Sequence, residues 1–199
     1  MKSLIIIGAS GHGSVMADIA VKLKFSVKFW DDDLSKEIYG YKVEKRVMED
    51  PLNSTLIIGI GNNSIRESIS KQYSKDKFIS LIHPIATISD NTKIGFGSVV
   101  MAGVCINNDS IIGDHCILNT GAVVDHDCKL ENYVHVSPNV TLCGNVSIGN
   151  SSWVGAGVTI IQDIKVGENV TIGAGAVIIE DIPSGATVVG NPGKIIKIW

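Results

Sequence analysis

The chain is short of arginine, of aromatic residues and of long apolar runs, and each shortage excludes something. Only two of its 199 residues are arginine, Arg46 and Arg66. Residues 81–199 carry 5 basic groups, all lysine, against 10 acidic ones, a balance of −5. Residues 1–80 carry 12 against 10, or +2, and the two parts sum to the net charge of −3. Nucleic acid as a partner asks for clustered basic groups and is excluded on this count. The longest run of branched aliphatic residues is Leu4–Ile7, far below the ~20 residues of a membrane span. The N-terminal stretch also lacks the apolar core of a secretory signal. No membrane partner and a cytoplasmic location are expected. Four cysteines at 105, 116, 128 and 143 form no C-x-x-C pair, so neither a zinc ribbon nor a redox motif is indicated. Reduced, mostly packed thiols and no metal are expected. With 45% apolar and 19% charged residues and a mean hydropathy of +0.27, the chain is globular and not disordered.

What is present is a repeat. From Ile82 to Ile178, every sixth residue is Ile, Leu or Val, 17 hits in 17 positions. The fourth residue after each hit is small or apolar, as in Ala86, Cys116, Cys128 and Ala176. The third is Gly, Asn or Asp in 13 of 17 units, the residues that adopt positive φ at low cost. Each unit therefore reads as a short strand followed by a bend, with the first and fifth residues pointing inward. A period of six fits neither a helix nor a coiled coil, and it fits a parallel β-helix of hexapeptides. Three units make one 18-residue triangular coil. The 17 units over residues 82–183 then build a prism roughly 27 Å tall. Residues 18 apart lie above one another.

Residues 1–81 lack this period. Leu4–Ile7 reads as a buried strand, followed by Gly8-Ala9-Ser10-Gly11-His12-Gly13 and an amphipathic helix to about Lys24. Val27–Trp30 reads as a second strand ending in Asp31-Asp32-Asp33. Leu56–Ile60 reads as a third, followed by Gly61-Asn62-Asn63 and a helix to about Tyr73 that Asn63 or Ser64 would cap. The order predicts a small parallel α/β, Rossmann-like domain. Its glycine loop is G-x-x-G-x-G, not the dinucleotide G-x-G-x-x-G. Glycines before a helix N-terminus still suit a phosphate. Acidic residues ending the next strand suit ribose or base hydroxyls, with a solvated acidic turn as the plain alternative. The expected division is an α/β domain at 1–81, a β-helix at 82–183 and a C-terminal cap segment at 184–199.

The chain resembles the NeuD/PglD type of sugar acetyltransferase within the hexapeptide-repeat acyltransferases. The matching residues are Gly8-Ala9-Ser10-Gly11-His12-Gly13, Asp31-Asp32, Gly61-Asn62-Asn63, Asn119 through Cys128, His135-Val136-Ser137, Gly144-Asn145-Val146 and Gly190-Asn191-Pro192-Gly193-Lys194. The resemblance covers essentially the whole chain. It implies a left-handed β-helix, an exception to the right-handed crossover rule. It also implies a homotrimer with active sites between subunits, acetyl-CoA as co-substrate and a nucleotide sugar held by the small N-terminal domain. Carried over residue by residue, Ser10, Gly11, His12, Asp31, Asp32 and Gly61 would contact that sugar nucleotide. Gly144, Ala156 and Ala174 would contact acetyl-CoA, and His135 its thioester end.

Acetyl transfer needs a base near neutral pH, and histidine is the obvious one. Of five histidines, His83 precedes Pro84 at the domain junction and reads as structural. His115 falls at a bend and reads as a surface residue, and His12 lies in the glycine loop. His126 occupies an outward position between Asp125 and Asp127, either of which could orient it. The resemblance assigns that role to Asp127, where better-known members carry Glu. Gly144, one coil above His126, leaves room for the acyl carbonyl, and Ala156 and Ala174 stack as small residues along which an extended ligand can lie. Trp153 stacks above His135, and Lys194 is placed to meet CoA phosphates. Cys116 and Cys128 point inward, and Cys105 and Cys143 lack a base, so no thiol nucleophile is expected. The reading is direct N-acetylation of a nucleotide-linked amino sugar, a UDP-linked 4-amino-4,6-dideoxy sugar being favoured, for surface glycan synthesis. The alternatives are O-acetylation of a sialic acid or related sugar hydroxyl, a zinc enzyme on the same prism, which the spacing of His115, His126 and His135 disfavours, and a non-catalytic nucleotide-binding solenoid.

Overall fold

The structure, a computed structural model, describes residues 2–38, 40–48 and 54–199. Four parallel strands, β1 (Ser3–Ile7), β2 (Ser26–Asp31), β3 (Val43–Lys45) and β4 (Ser54–Ile58), form a sheet in the order β3-β2-β1-β4. Helix α1 (Gly11–Lys22) follows β1, and α2 (Asn63–Ser70) follows β4. The strand β3 is absent from the sequence reading; its three residues sit at the sheet edge, half-exposed, and carry too little apolar pattern to be seen. The cap of α2 is Asn62, whose side chain accepts from the Ile65 N–H at 3.0 Å, and not Asn63 or Ser64. Asn63 is committed elsewhere: its amide donates to the Ser151 and Ser152 carbonyls.

From β5 (Leu81–Ile82) to β21 (Val177–Ile178), 17 two-residue strands wind into three parallel faces, a left-handed parallel β-helix. Strands 18 residues apart pair in register, as Val99 with Ile117 and Ile117 with His135. The sixth-residue positions from Val100 to Ile178 are buried and form one continuous core with the small fifth residues. The bend positions carry positive φ as expected, Asp109, Asp127, Asn139, Asn145 and Asn169 among them. A hairpin of β22 (Ala186–Val189) and antiparallel β23 (Lys194–Ile198) extends one face.

That same face carries an outward column in which Leu81, Val99 and Ile117 are at most 1% exposed. They are covered by the α/β region and share a core with Leu4, Ile6, Met16 and Ile19. Each such side chain contributes about 1.5–3 kcal/mol by leaving water. The two regions are thereby held as one body, and the column continues upward as His135, Trp153 and Thr171.

His115 is a correction to the surface assignment. Its φ of 53° fits the bend, but the ring is buried, 4% exposed, stacked on Tyr133 at 5.4 Å and edge-on to Phe78 at 4.7 Å. The bend rule fixes the backbone there, and the α/β region that packs over the bend buries the side chain.

Candidate active site

His126 stands in the bend between Val123–Val124 and Lys129–Leu130. Its side chain is 59% exposed, as the sequence requires of an outward position. The bend is braced from inside by Ser110, whose hydroxyl donates to the Asp125 carbonyl at 2.8 Å and accepts from the Cys128 N–H at 3.2 Å. Asp127, at φ 61°, turns its carboxylate back to within 2.8 Å of His126 Nδ1. A carboxylate only accepts, so Nδ1 carries the proton and Nε2 the lone pair. Asp125 is occupied otherwise: it accepts from the Asn107 amide at 2.7 Å and from the His126 backbone N–H at 2.8 Å. The hydrogen bond that His126 donates to Asp127, then the charge of Asp125, raise the His126 pKa above its ordinary value.

Gly144 lies above His126, and a Cβ there would come within 2.5 Å of the ring carbon Cε1. The space that glycine opens is thus taken by the imidazole itself, which leans across the coil above.

Ala156 and Ala174 lie on the next edge of the prism, between Trp153–Val154 and Thr159–Ile160 and one coil higher. With His135, Trp153, Pro138 and Ile172 they line a groove of about 460 Å³. Trp153 stacks flat on His135 at 5.5 Å, 3° from parallel, and its Nε1 donates to Ser137 Oγ at 2.9 Å. His135 is buried at the base, with Nδ1 3.3 Å from the Gly61 carbonyl. Within one chain, then, the face carrying Cys105, Val123, Thr141 and Thr159 separates the His126 edge from the groove edge. Lys194 is exposed on β23, past the top of that groove and outside its lining.

At the carboxyl ends of β1 and β2, Ala9, Ser10, Gly11, Ser14, Lys36, Glu37 and Ile38 line a second pocket of about 420 Å³. Ser10 caps α1, and a Cβ on Gly13 would strike the Gly8 carbonyl, so that glycine lets the helix close on the strand. A Cβ on Gly11 would meet nothing. Asp31 sits beneath the pocket; its carboxylate accepts from the Ala9 N–H at 2.7 Å and from Lys36 Nζ at 2.9 Å. Asp32 turns away to Arg46 at 3.0 Å. His12 and Gly61 face the prism instead: the His12 ring lies 6.3 Å from that of His135, and Gly61 beside it. Burial first, then the Arg66 charge, push His12 and His135 down to about 4.

Burial drives Cys116 up to about 12 and Cys128 up to about 11, which keeps both as thiols. Among the described residues, no three His, Cys, Asp or Glu side chains converge to hold a metal, and no helix is long and apolar enough to cross a membrane. The sequence reading missed Lys36, Glu37 and Ile38 in the pocket wall, because an irregular loop carries no period. It also missed Arg66, whose burial side by side with Ile69 in α2 depends on the packing of that helix against the prism.

Comparison with known proteins agrees with this fold. Residues 3–73 match the family described as the PglD N-terminal domain, and residues 145–180 match the bacterial transferase hexapeptide family. The solved acetyltransferase domain of PglB from Neisseria gonorrhoeae FA1090 is 41% identical, with 98% of this chain and 100% of that one covered and a TM-score of 0.92. PerB from Caulobacter crescentus, solved with CoA and GDP-perosamine, is 34% identical over 98% of this chain and 97% of that one, with a TM-score of 0.92. The UDP-N-acetylbacillosamine N-acetyltransferase of Bacillus subtilis (strain 168) is 39% identical over 116 residues, and the chain matches about half the length of that relative, 52%. A prism of hexapeptides carrying a small α/β unit on one face defines a hexapeptide-repeat transferase. Within that class, the chain belongs to the NeuD/PglD-type hexapeptide acetyltransferases.

Proposed function

We propose that the chain transfers the acetyl group of acetyl-CoA to the amino group of a nucleotide-linked amino sugar, with His126 as general base. The observation that carries this reading is the exposed His126–Asp127 pair, with Nδ1 bound at 2.8 Å and Nε2 free to take a proton. The acceptor nitrogen attacks the thioester carbonyl while Nε2 of His126 takes its proton. The tetrahedral intermediate then collapses, the C–S bond breaks, and the thiolate recovers a proton to leave as CoA. Atoms balance as amine plus acetyl-CoA giving amide plus CoA thiol, and no cysteine is acylated.

The pocket at Ser10, Gly11 and Lys36 is assigned to the nucleotide part, with Asp31 holding the loop and Lys36 in place. Asp32, which turns to Arg46, and His12 and Gly61, which face the prism, lie outside that pocket's lining and are proposed to meet the sugar nucleotide at its margin. The groove at His135, Ala156 and Ala174 is assigned to the pantetheine arm, with Gly144 beside the acyl group and Lys194 toward the CoA phosphates. Because His126 and that groove occupy different edges of one prism, the site is read as forming between subunits of a homotrimer. The division into an α/β domain at 1–81, a β-helix at 82–183 and a cap at 184–199 follows the same assignment. A relative named for a UDP sugar and a structure holding GDP-perosamine both support a nucleotide-linked amine, and a UDP-linked 4-amino-4,6-dideoxy sugar is the favoured acceptor.

The test is thiol release from acetyl-CoA with UDP-, GDP- and TDP-linked amino sugars and free sialic acid as acceptors. Turnover should be fastest with a UDP-linked amine. Turnover with sialic acid alone would replace amide formation by ester formation, and none with any acceptor would overturn the enzymatic reading.

A further inference from the structure

Arg66 is 1% exposed and is the largest fully buried side chain among the described residues. A buried cation is costly unless it is fully bonded. Each of its N–H groups has a partner, and every partner is a carbonyl oxygen. Nε donates to the His115 carbonyl at 2.8 Å, and Nη1 to the Ile60 and Gly61 carbonyls, each at 3.1 Å. Nη2 donates to Asn63 Oδ1 at 2.9 Å and to the Tyr133 carbonyl at 2.8 Å. Two acceptors belong to the loop that enters α2 and one to its first residue, Asn63, and two belong to positive-φ bends of the prism, His115 at 53° and Tyr133 at 60°. Among the described residues no carboxylate pairs with it.

The guanidinium thus pins the 60–63 loop against the prism, and the Gly61 carbonyl faces His135 Nδ1 as a result. A carbonyl can only accept, so Nδ1 must be the protonated nitrogen, and Nε2 turns its lone pair toward the groove beside the Asn119 amide at 3.5 Å. We propose that Arg66 is a positioning residue for the acyl donor: through Gly61 it holds His135 as the Nδ1–H tautomer, so that Nε2 accepts from an amide N–H in the groove. The pantetheine arm of acetyl-CoA carries such amides, and this inference rests on the acetyl-CoA reading above. Burial and the Arg66 charge both oppose protonation of His135, and the groups facing it, His12 and Arg66, supply no negative charge.

The experiment is nitrogen NMR of the full chain labelled with ¹⁵N-histidine, together with steady-state kinetics of Arg66→Met and Arg66→Lys. In the native chain His135 should show a protonated Nδ1 and a bare Nε2, and CoA should shift the Nε2 resonance. Arg66→Met should mix the tautomers and raise KM for acetyl-CoA about tenfold, the loss of roughly one hydrogen bond, with a smaller change in kcat. Arg66→Lys should fall between. A native His135 protonated on Nε2, or a KM within twofold of native in folded Arg66→Met, overturns the proposal. If neither variant folds, an Nε2 resonance that ignores bound CoA overturns it equally. A native chain that binds no CoA would instead remove the acetyl-CoA reading, whatever the tautomer.

Discussion

Asp127 reaches His126 Nδ1 at 2.8 Å with a short side chain. At φ 61° the residue occupies the left-handed region, which a short polar side chain tolerates best, and from there the carboxylate reaches back to its own neighbour. The pair therefore needs no long side chain. Because the hydrogen bond donated to Asp127 raises the His126 pKa, the neutral, basic form of His126 prevails only above that raised value. The rate in acetyl-CoA should climb with pH through a midpoint above 6.5. In Asp127→Asn the carboxylate is lost, so the midpoint should move to lower pH, and the plateau should fall by roughly tenfold or more as the tautomer is released. An unchanged midpoint in the pH–rate profile would show that Asp127 does not govern the base.

At the scale of elements, the bends do more than turn the chain. The bends at His115 and Tyr133 offer their carbonyls to Arg66 and stack their rings beneath the α/β region, while the column Leu81, Val99 and Ile117 supplies the apolar contact. Three histidines meet at this junction, His115 and His135 buried and His12 partly so, and burial first pushes all three from 6.5 down to about 4. The unfolded chain binds protons at these groups that the folded chain refuses. Their contribution is therefore fully present above pH 6.5 and is lost as pH falls from 6.5 toward 4, on the order of 2–3 kcal/mol for each. Denaturant midpoints measured across that window should fall steeply. His115→Phe, which keeps the stack on Tyr133, should flatten the fall by about a third. A midpoint independent of pH between 6.5 and 4 would mean that the junction does not exclude protons.

Over the whole molecule, the prism was open to reading because hexapeptide periodicity is local: each unit repeats the same demand on its own residues, and 17 repetitions leave no ambiguity. His126 was readable for the same reason, since its position in the unit dictates an outward side chain. The burial of His115, the cap at Asn62 and the role of Arg66 were not readable, because each depends on the α/β region packing over bends some 50 to 90 residues away in the chain. The edge strand Val43–Lys45 escaped notice because it is short and half-solvated. Separation of the His126 edge from the Ala156–Ala174 groove, by contrast, follows from the period itself, because 126 and 156 differ by 30 residues, which is not a multiple of 18. The central claim remains that His126 takes the proton of the attacking amine, and the direct measurement is turnover of His126→Ala with acetyl-CoA and the best amino-sugar acceptor, alongside its affinity for CoA. The account predicts a fall in kcat of roughly 10²–10⁴-fold with CoA affinity little changed; turnover near the native rate would contradict it.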